Sequence, residues 1–139
     1  MPTVKNIMKA VVNIAPTCTV LEAANLMKES GRGSLLVLDG KTTIGIITER
    51  DLVIRVIAEN LPDTTPVSKV MSSPLITINV NTTPKEAARI MSERRIRRLP
   101  VTERGTVAGV VLASDVLRHL SKKTRTEQIW EALIVGHQK

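Results

Sequence analysis

Phenylalanine and tyrosine are absent from this chain, and Trp130 is its only aromatic residue. A core without rings must be packed from Val, Ile, Leu, Met and Ala. A flat ligand would have to lie between aliphatic side chains rather than on an aromatic face. Cys18 is the single cysteine, which excludes an internal disulfide and gives no sign of an oxidising compartment. No apolar run approaches the ~18–20 residues of a membrane-spanning helix. Lys5 and Lys9 are followed only by Val11-Val12-Asn13-Ile14, too short and interrupted for a signal-peptide core. The expectation is a soluble, cytoplasmic protein with no membrane contact.

Conventional catalytic constellations are missing as well. His119 and His137 stand alone, with no cysteine or carboxylate at metal-ligand spacing. Neither a phosphate loop ending in Gly-Lys-Thr nor a dinucleotide fingerprint occurs. The sequence therefore points to a protein that is not an enzyme, with no catalytic residue, metal or catalytic cofactor.

What the chain does contain is aliphatic residues, positive charge and a repeat. Its 139 residues are 42% apolar and 24% charged, with a net charge of +7. That is enough apolar material for a core, and the charge favours phosphorylated or polyanionic partners. Residues 10–51 superimpose on 74–115 without a gap, and twelve of the 42 pairs are identical, against roughly two or three expected from composition. Matches include Glu22/Glu86, Ala23-Ala24/Ala87-Ala88, Met27/Met91, Leu35/Leu99, Val37/Val101, Gly45/Gly109 and Asp51/Asp115. Ile7-Met8 pairs with Val70-Met71 at an offset one residue shorter. This is an internal duplication.

Each copy reads β-α-β-β-α. Short β-branched runs at Val11 to Ile14 and Leu75 to Ile78 precede Thr19-x-x-Glu22 and Thr83-x-x-Glu86, capping-box signatures that start helices. Val20, Ala23, Ala24 and Met27 fall on one helical face. Strands follow at Ser34 to Leu38 and Thr42 to Thr48, and again at Leu99 to Thr102 and Val107 to Leu112. A closing helix with Leu52, Val53, Val56 and Ile57 as its buried stripe ends copy one, and Asp115 to Leu120 is its counterpart. The fold class is α+β: module one over 1–61, a linker at 62–66, module two over 67–122, and a tail at 123–139. In the tail, Ile129, Trp130, Leu133 and Ile134 share a helical face behind Thr124-x-x-Glu127.

Two features carry chemistry. Gly45-Ile46-Ile47-Thr48-Glu49-Arg50-Asp51 returns as Gly109-Val110-Val111-Leu112-Ala113-Ser114-Asp115, each at a strand-to-helix turn. Thr48-x-x-Asp51 matches a helix N-cap pair; equally, a carboxylate suits the vicinal hydroxyls of ribose, and a Thr hydroxyl beside free N–H groups suits phosphate. The second feature is Arg94-Arg95-Ile96-Arg97-Arg98, a solvated basic face or a set of phosphate forks. Copy one has Gly33-Ser34 where copy two has Arg97-Arg98.

Taken together, Ile7-Met8 and Val70-Met71, the Ala-Ala helices, Arg98-Leu99-Pro100-Val101 and the two Gly-to-Asp endings resemble the CBS-domain family, over residues 4–120. The resemblance implies two modules related by a pseudo-twofold, with two adenosine-nucleotide clefts for AMP, ADP, ATP or S-adenosylmethionine. It implies a main cleft of Thr48, Asp51, Leu75, Ile76, Ile96, Arg97 and Arg98. A weaker cleft would use Val11, Val12, Gly33, Ser114 and Asp115, where Leu112 replaces the hydroxyl and Gly33-Ser34 offers no cation. It further implies a homodimer through helices.

The expected function is that of a regulatory sensor of adenosine nucleotides, acting on a separate, unidentified protein. Two alternatives remain at this stage. One is nucleic-acid binding through the arginines, disfavoured by the lack of aromatics for base stacking; the other is a ligand-free dimerisation module.

Overall fold

The computed structural model describes residues 2–120 together with Trp130, Leu133 and Ile134. Thr19 starts helix α1 (Val20–Ser30): its hydroxyl accepts from Glu22 N at 3.1 Å while the Glu22 carboxylate accepts from Thr19 N at 3.2 Å. Gly31, at φ 69°, ends it in the left-handed cap that glycine adopts at least cost. Val20, Ala23 and Met27 are buried, as the spacing predicts.

Around α1, β1 (Asn13–Ile14) runs parallel to β2 (Ser34–Asp39), and β2 pairs antiparallel with β3 (Thr42–Thr48). The fully buried Leu35, Leu36, Val37 and Ile47 form the inner layer. Helix α2 (Glu49–Asp51) continues as a π-helical stretch over Leu52–Ile57.

Copy two repeats this order with β4 (Ile78–Asn79), α3 (Pro84–Arg94), β5 (Arg98–Glu103), β6 (Thr106–Leu112) and α4 (Ala113–Leu117). The register repeats in detail: Val37 faces Gly45 and Val101 faces Gly109, and a bulge follows at Val37/Leu38 and at Val101/Thr102. The result is an α+β fold with two three-stranded sheets.

The chain divides into two compact units, Val11–Leu75 and Met1–Ala10 with Ile76–Lys139. The repeat in the sequence runs differently, because the leading turns change places. Val67 and Val70 are buried in the core with Ile14, Ala23 and Leu35. Val4 and Ile7 are buried with Ile78, Ala87 and Leu99. Lys9 pairs with Val110, and Ser72 with Ile46, so each leading segment is stitched to the last strand of its unit.

Three local expectations need correction. Val53 and Ile57 are not a buried stripe but are 52% and 72% exposed, while Val56 is buried. The π winding, with Ala58 N donating to Val53 O and Leu61 N to Val56 O, turns this segment away from the α-helical face its spacing implies. The capping box at Thr83 is half formed. Thr83 accepts from Glu86 N, but the Glu86 carboxylate turns to Arg89, which stands where copy one has Asn25. In the tail, Trp130 is helical yet 64% exposed, whereas Leu133 packs against the Val4–Ile78 core. The rest of the expected tail helix, with Thr124, Glu127 and Ile129, lies outside the described residues.

Candidate functional site

Thr48 ends β3 in extended backbone, and Asp51 sits one helical turn on. The Asp51 carboxylate accepts from Thr48 N at 2.8 Å and from Thr48 Oγ1 at 3.1 Å, and Asp51 N donates to Thr48 Oγ1 at 3.2 Å. The cap reading is therefore realised in full. It does not use up the carboxylate. Asp51 is only 6% exposed, and its second oxygen accepts from Ser72 Oγ at a long 3.4 Å. Arg55 Nε lies 3.6 Å from the same oxygen, but its guanidinium also donates to Val70 O and Met71 O at 3.2 Å each.

Sequence reasoning missed Ser72 and Arg55. Ser72 reaches Asp51 only because the 67–72 segment folds back onto β3, which no local pattern announces. Arg55 was legible as an i,i+4 partner of Asp51.

The second carboxylate has other company. Asp115 is 3% exposed; it accepts weakly from Leu112 N at 3.4 Å and strongly from Arg118 Nη2 at 2.7 Å. Lys9 Nζ lies 3.7 Å away. At this turn Leu112 supplies no hydroxyl, as expected, but cations are present. They come from the leading segment and from α4.

The remaining candidates divide between the units. Leu75 belongs with Thr48 and Asp51, whereas Ile76, Ile96, Arg97 and Arg98 belong with Asp115. Within that unit Arg98 pairs with Leu112, and Arg97 O accepts from Ala113 N at 2.8 Å. Gly33 O accepts likewise from Glu49 N at 3.0 Å, so Gly33 lies beside the Thr48 turn of its own unit. Val11, Val12, Leu75 and Ile76 are half-buried, and Ser114 is exposed.

Among the described residues no cluster of three or more His, Cys, Asp or Glu could hold a metal. None of the described helices is long and apolar enough to cross a membrane. A shallow groove of about 440 Å³ runs beside α1 among Asn13, Ile14, Cys18, Glu22, Asn25 and Leu26, and it includes neither Thr48 nor Asp51.

Similarity to known proteins agrees with this arrangement. The CBS domain model matches twice, over residues 4–58 and 67–122. A CBS domain-containing protein of Bacillus subtilis, YhcV, is 35% identical over 117 residues, covering 84% of each chain. An uncharacterized conserved protein from Pyrococcus horikoshii superimposes with a TM-score of 0.80 at 37% identity, over 85% of this chain and 91% of that one. A hexameric CBS-CP12 protein from bloom-forming cyanobacteria superimposes with a TM-score of 0.77 at 34% identity, over 83% of this chain and 66% of that one. With the duplicated β-α-β-β-α order, the repeated bulges and a buried Asp at both strand-to-helix turns, the chain belongs to the CBS-domain family and carries two copies of the domain.

Proposed function

We propose that this protein is a regulatory sensor that binds an adenosine nucleotide (AMP, ADP, ATP or S-adenosylmethionine), with Asp51 as the ribose anchor. The observation that carries the reading is the Asp51 carboxylate. It is buried, one oxygen is held by the Thr48 amide and hydroxyl, and the other has only a long hydrogen bond from Ser72 Oγ and the Arg55 Nε at 3.6 Å. Two vicinal hydroxyls can replace Thr48 Oγ1 and Ser72 Oγ without stranding a charge, since a carboxylate accepts about four hydrogen bonds. Thr48 Oγ1, released from the cap, can then donate to a phosphate oxygen. The half-buried aliphatic Leu75, in the same unit as Asp51, suits an adenine in a chain so poor in rings.

The chain would act by self-association and by presenting its occupied state to another protein. The family's capacity for assembly is represented by the hexameric cyanobacterial relative. In this chain, the exposed Val53, Ile54, Ile57 and Leu61 offer an apolar surface for a second copy.

Calorimetric titration with AMP tests the reading on wild type, Asp51→Ala and Asp115→Ala. Loss of a charge-assisted hydrogen-bond pair should weaken binding about tenfold or more in Asp51→Ala, with Asp115→Ala close to wild type. Equal weakening in both variants, weakening only in Asp115→Ala, or no heat with any of the four ligands would overturn it.

A further inference from the structure

We infer that Lys9 and Arg118, both held at one oxygen of the Asp115 carboxylate, form an oxyanion site that recognises phosphate groups by charge, without a nucleoside. The comparison of the two turns leads there. At an offset of 63, one residue shorter than the main repeat, Lys9 occupies the place of Ser72. In its own unit each reaches the buried Asp: Ser72 Oγ lies 3.4 Å from Asp51, and Lys9 Nζ lies 3.7 Å from Asp115. Leu112 occupies the place of Thr48. The second turn has thus exchanged both hydroxyls for an aliphatic side chain and an ammonium, which changes the kind of ligand it suits rather than simply weakening it.

Arg118 adds a second cation, 2.7 Å from the same carboxylate oxygen that Lys9 approaches. One buried carboxylate therefore serves two cations, and the cluster carries a net charge of about +1 at neutral pH, where Lys and Arg are protonated. The cationic side chains are not buried with it: they are 43% exposed at Lys9 and 68% at Arg118.

Both cations are anchored by backbone. Lys9 exchanges two hydrogen bonds with Val110, at 2.8 and 3.0 Å, and Arg118 is the C-cap of α4. A guanidinium and an ammonium fixed to one counterion present outward donors to a multiply charged oxyanion, which can bridge them and satisfy the surplus charge. At the first turn Ile54 stands where Arg118 does, and the nearby Arg55 guanidinium donates to Val70 O and Met71 O as well as approaching Asp51. The two turns thus separate by ligand chemistry: a diol at Asp51, and phosphate charge at Lys9 and Arg118. The inference is independent of the adenosine reading.

The test uses the full chain and inorganic tripolyphosphate, followed by calorimetry at low and high salt. The wild type should bind, with affinity falling as salt rises. Lys9→Gln and Arg118→Gln should each weaken binding about tenfold, the loss expected for one charged hydrogen-bond donor. Arg118→Lys should retain most of the affinity, and it keeps the test decisive if Arg118→Gln melts prematurely. Lys41→Gln, which removes an exposed lysine of the other unit, should bind as wild type. Absence of tripolyphosphate binding by the wild type, wild-type affinity in both Lys9→Gln and Arg118→Gln, or an equal loss in Lys41→Gln would each overturn the site. Binding of tripolyphosphate without binding of AMP would instead overturn only the adenosine reading, and binding of AMP without tripolyphosphate would overturn only this one.

Discussion

At Gly45 and Gly109 the last strand of each unit passes under a leading segment that leaves no room for a side chain. A Cβ on Gly45 would stand 2.8 Å from both Met71 Sδ and Ser72 O; on Gly109 it would stand 2.6 Å from Met8 Sδ and 3.0 Å from Lys9 O. A thioether can swing aside, but the carbonyls of Ser72 and Lys9 are tied to Ile46 and Val110 by ladder hydrogen bonds and cannot yield alone. Gly45→Ala should therefore destabilise the protein by about 1–3 kcal/mol, the usual cost of overpacking, and Gly109→Ala by no more than Gly45→Ala. Urea unfolding measures both. Wild-type midpoints would show that the leading segments move off the sheets freely. These glycines also place the candidate site residues. The same close approach brings Ser72 to Asp51 and Lys9 to Asp115. The motif residues Thr48 and Asp51 were legible because they lie in one helical turn. Their partners from the leading segments were not, because the Gly-dependent crossing that brings them near is long-range.

Among the elements, α1 and α3 show how one substitution redirects a cap. Both begin with Thr and carry Glu three residues later. In α1 the Glu22 carboxylate returns to the Thr19 backbone; in α3 Arg89, bonded also to Glu93, captures Glu86 instead. The guanidinium bonded to Glu86 holds that carboxyl below its ordinary pKa, and Arg89 is pushed higher still by its two acidic partners. A carboxylate whose pKa is lower in the folded state contributes stability above its unfolded pKa, and loses it as pH falls through the folded value. The triad is solvent-exposed, so this contribution is small and screened by salt. The melting-temperature gap between wild type and Arg89→Met should accordingly be present at neutral pH and close once the pH drops below the ordinary glutamate range of about 4.3. It should also narrow in high salt. A gap that stays constant across that range would mean that Arg89 acts through its aliphatic stem.

On the scale of the whole molecule, the exposed aliphatic row of copy one has no equivalent among the described residues of copy two. Val53, Ile54, Ile57 and Leu61 are each at least 40% exposed, whereas Leu117, in the place of Val53, packs against the core of its unit and Arg118 takes the place of Ile54; the positions that match Ile57 and Leu61 lie outside the described residues. This row is the surface proposed above for a second copy. Ile57→Lys should convert a self-associating species to a smaller one in light scattering without lowering the melting temperature of the monomer. An unchanged mass would place the contact between copies elsewhere.

The sequence by itself determined the duplication, the order of elements within each copy, the α+β class and the Thr48-x-x-Asp51 turn. All of these are written in contacts three to ten residues long or in a repeat that can be read by superimposing the chain on itself. Only the tertiary structure decided that Val4 and Ile7 complete the core of residues 76–120, and Val67 and Val70 that of residues 11–75. It also decided that Val53 and Ile57 face outward, and that Asp115 is met by Lys9 and Arg118 where Asp51 is met by Thr48, Ser72 and Arg55. Burial of the leading turns is chosen by which apolar face they can cover, and the faces of the closing helix by a π turn. Thus the Gly45-to-Asp51 turn and its Gly109-to-Asp115 echo are alike in sequence, but the chemistry at each is set by a residue delivered from another part of the chain.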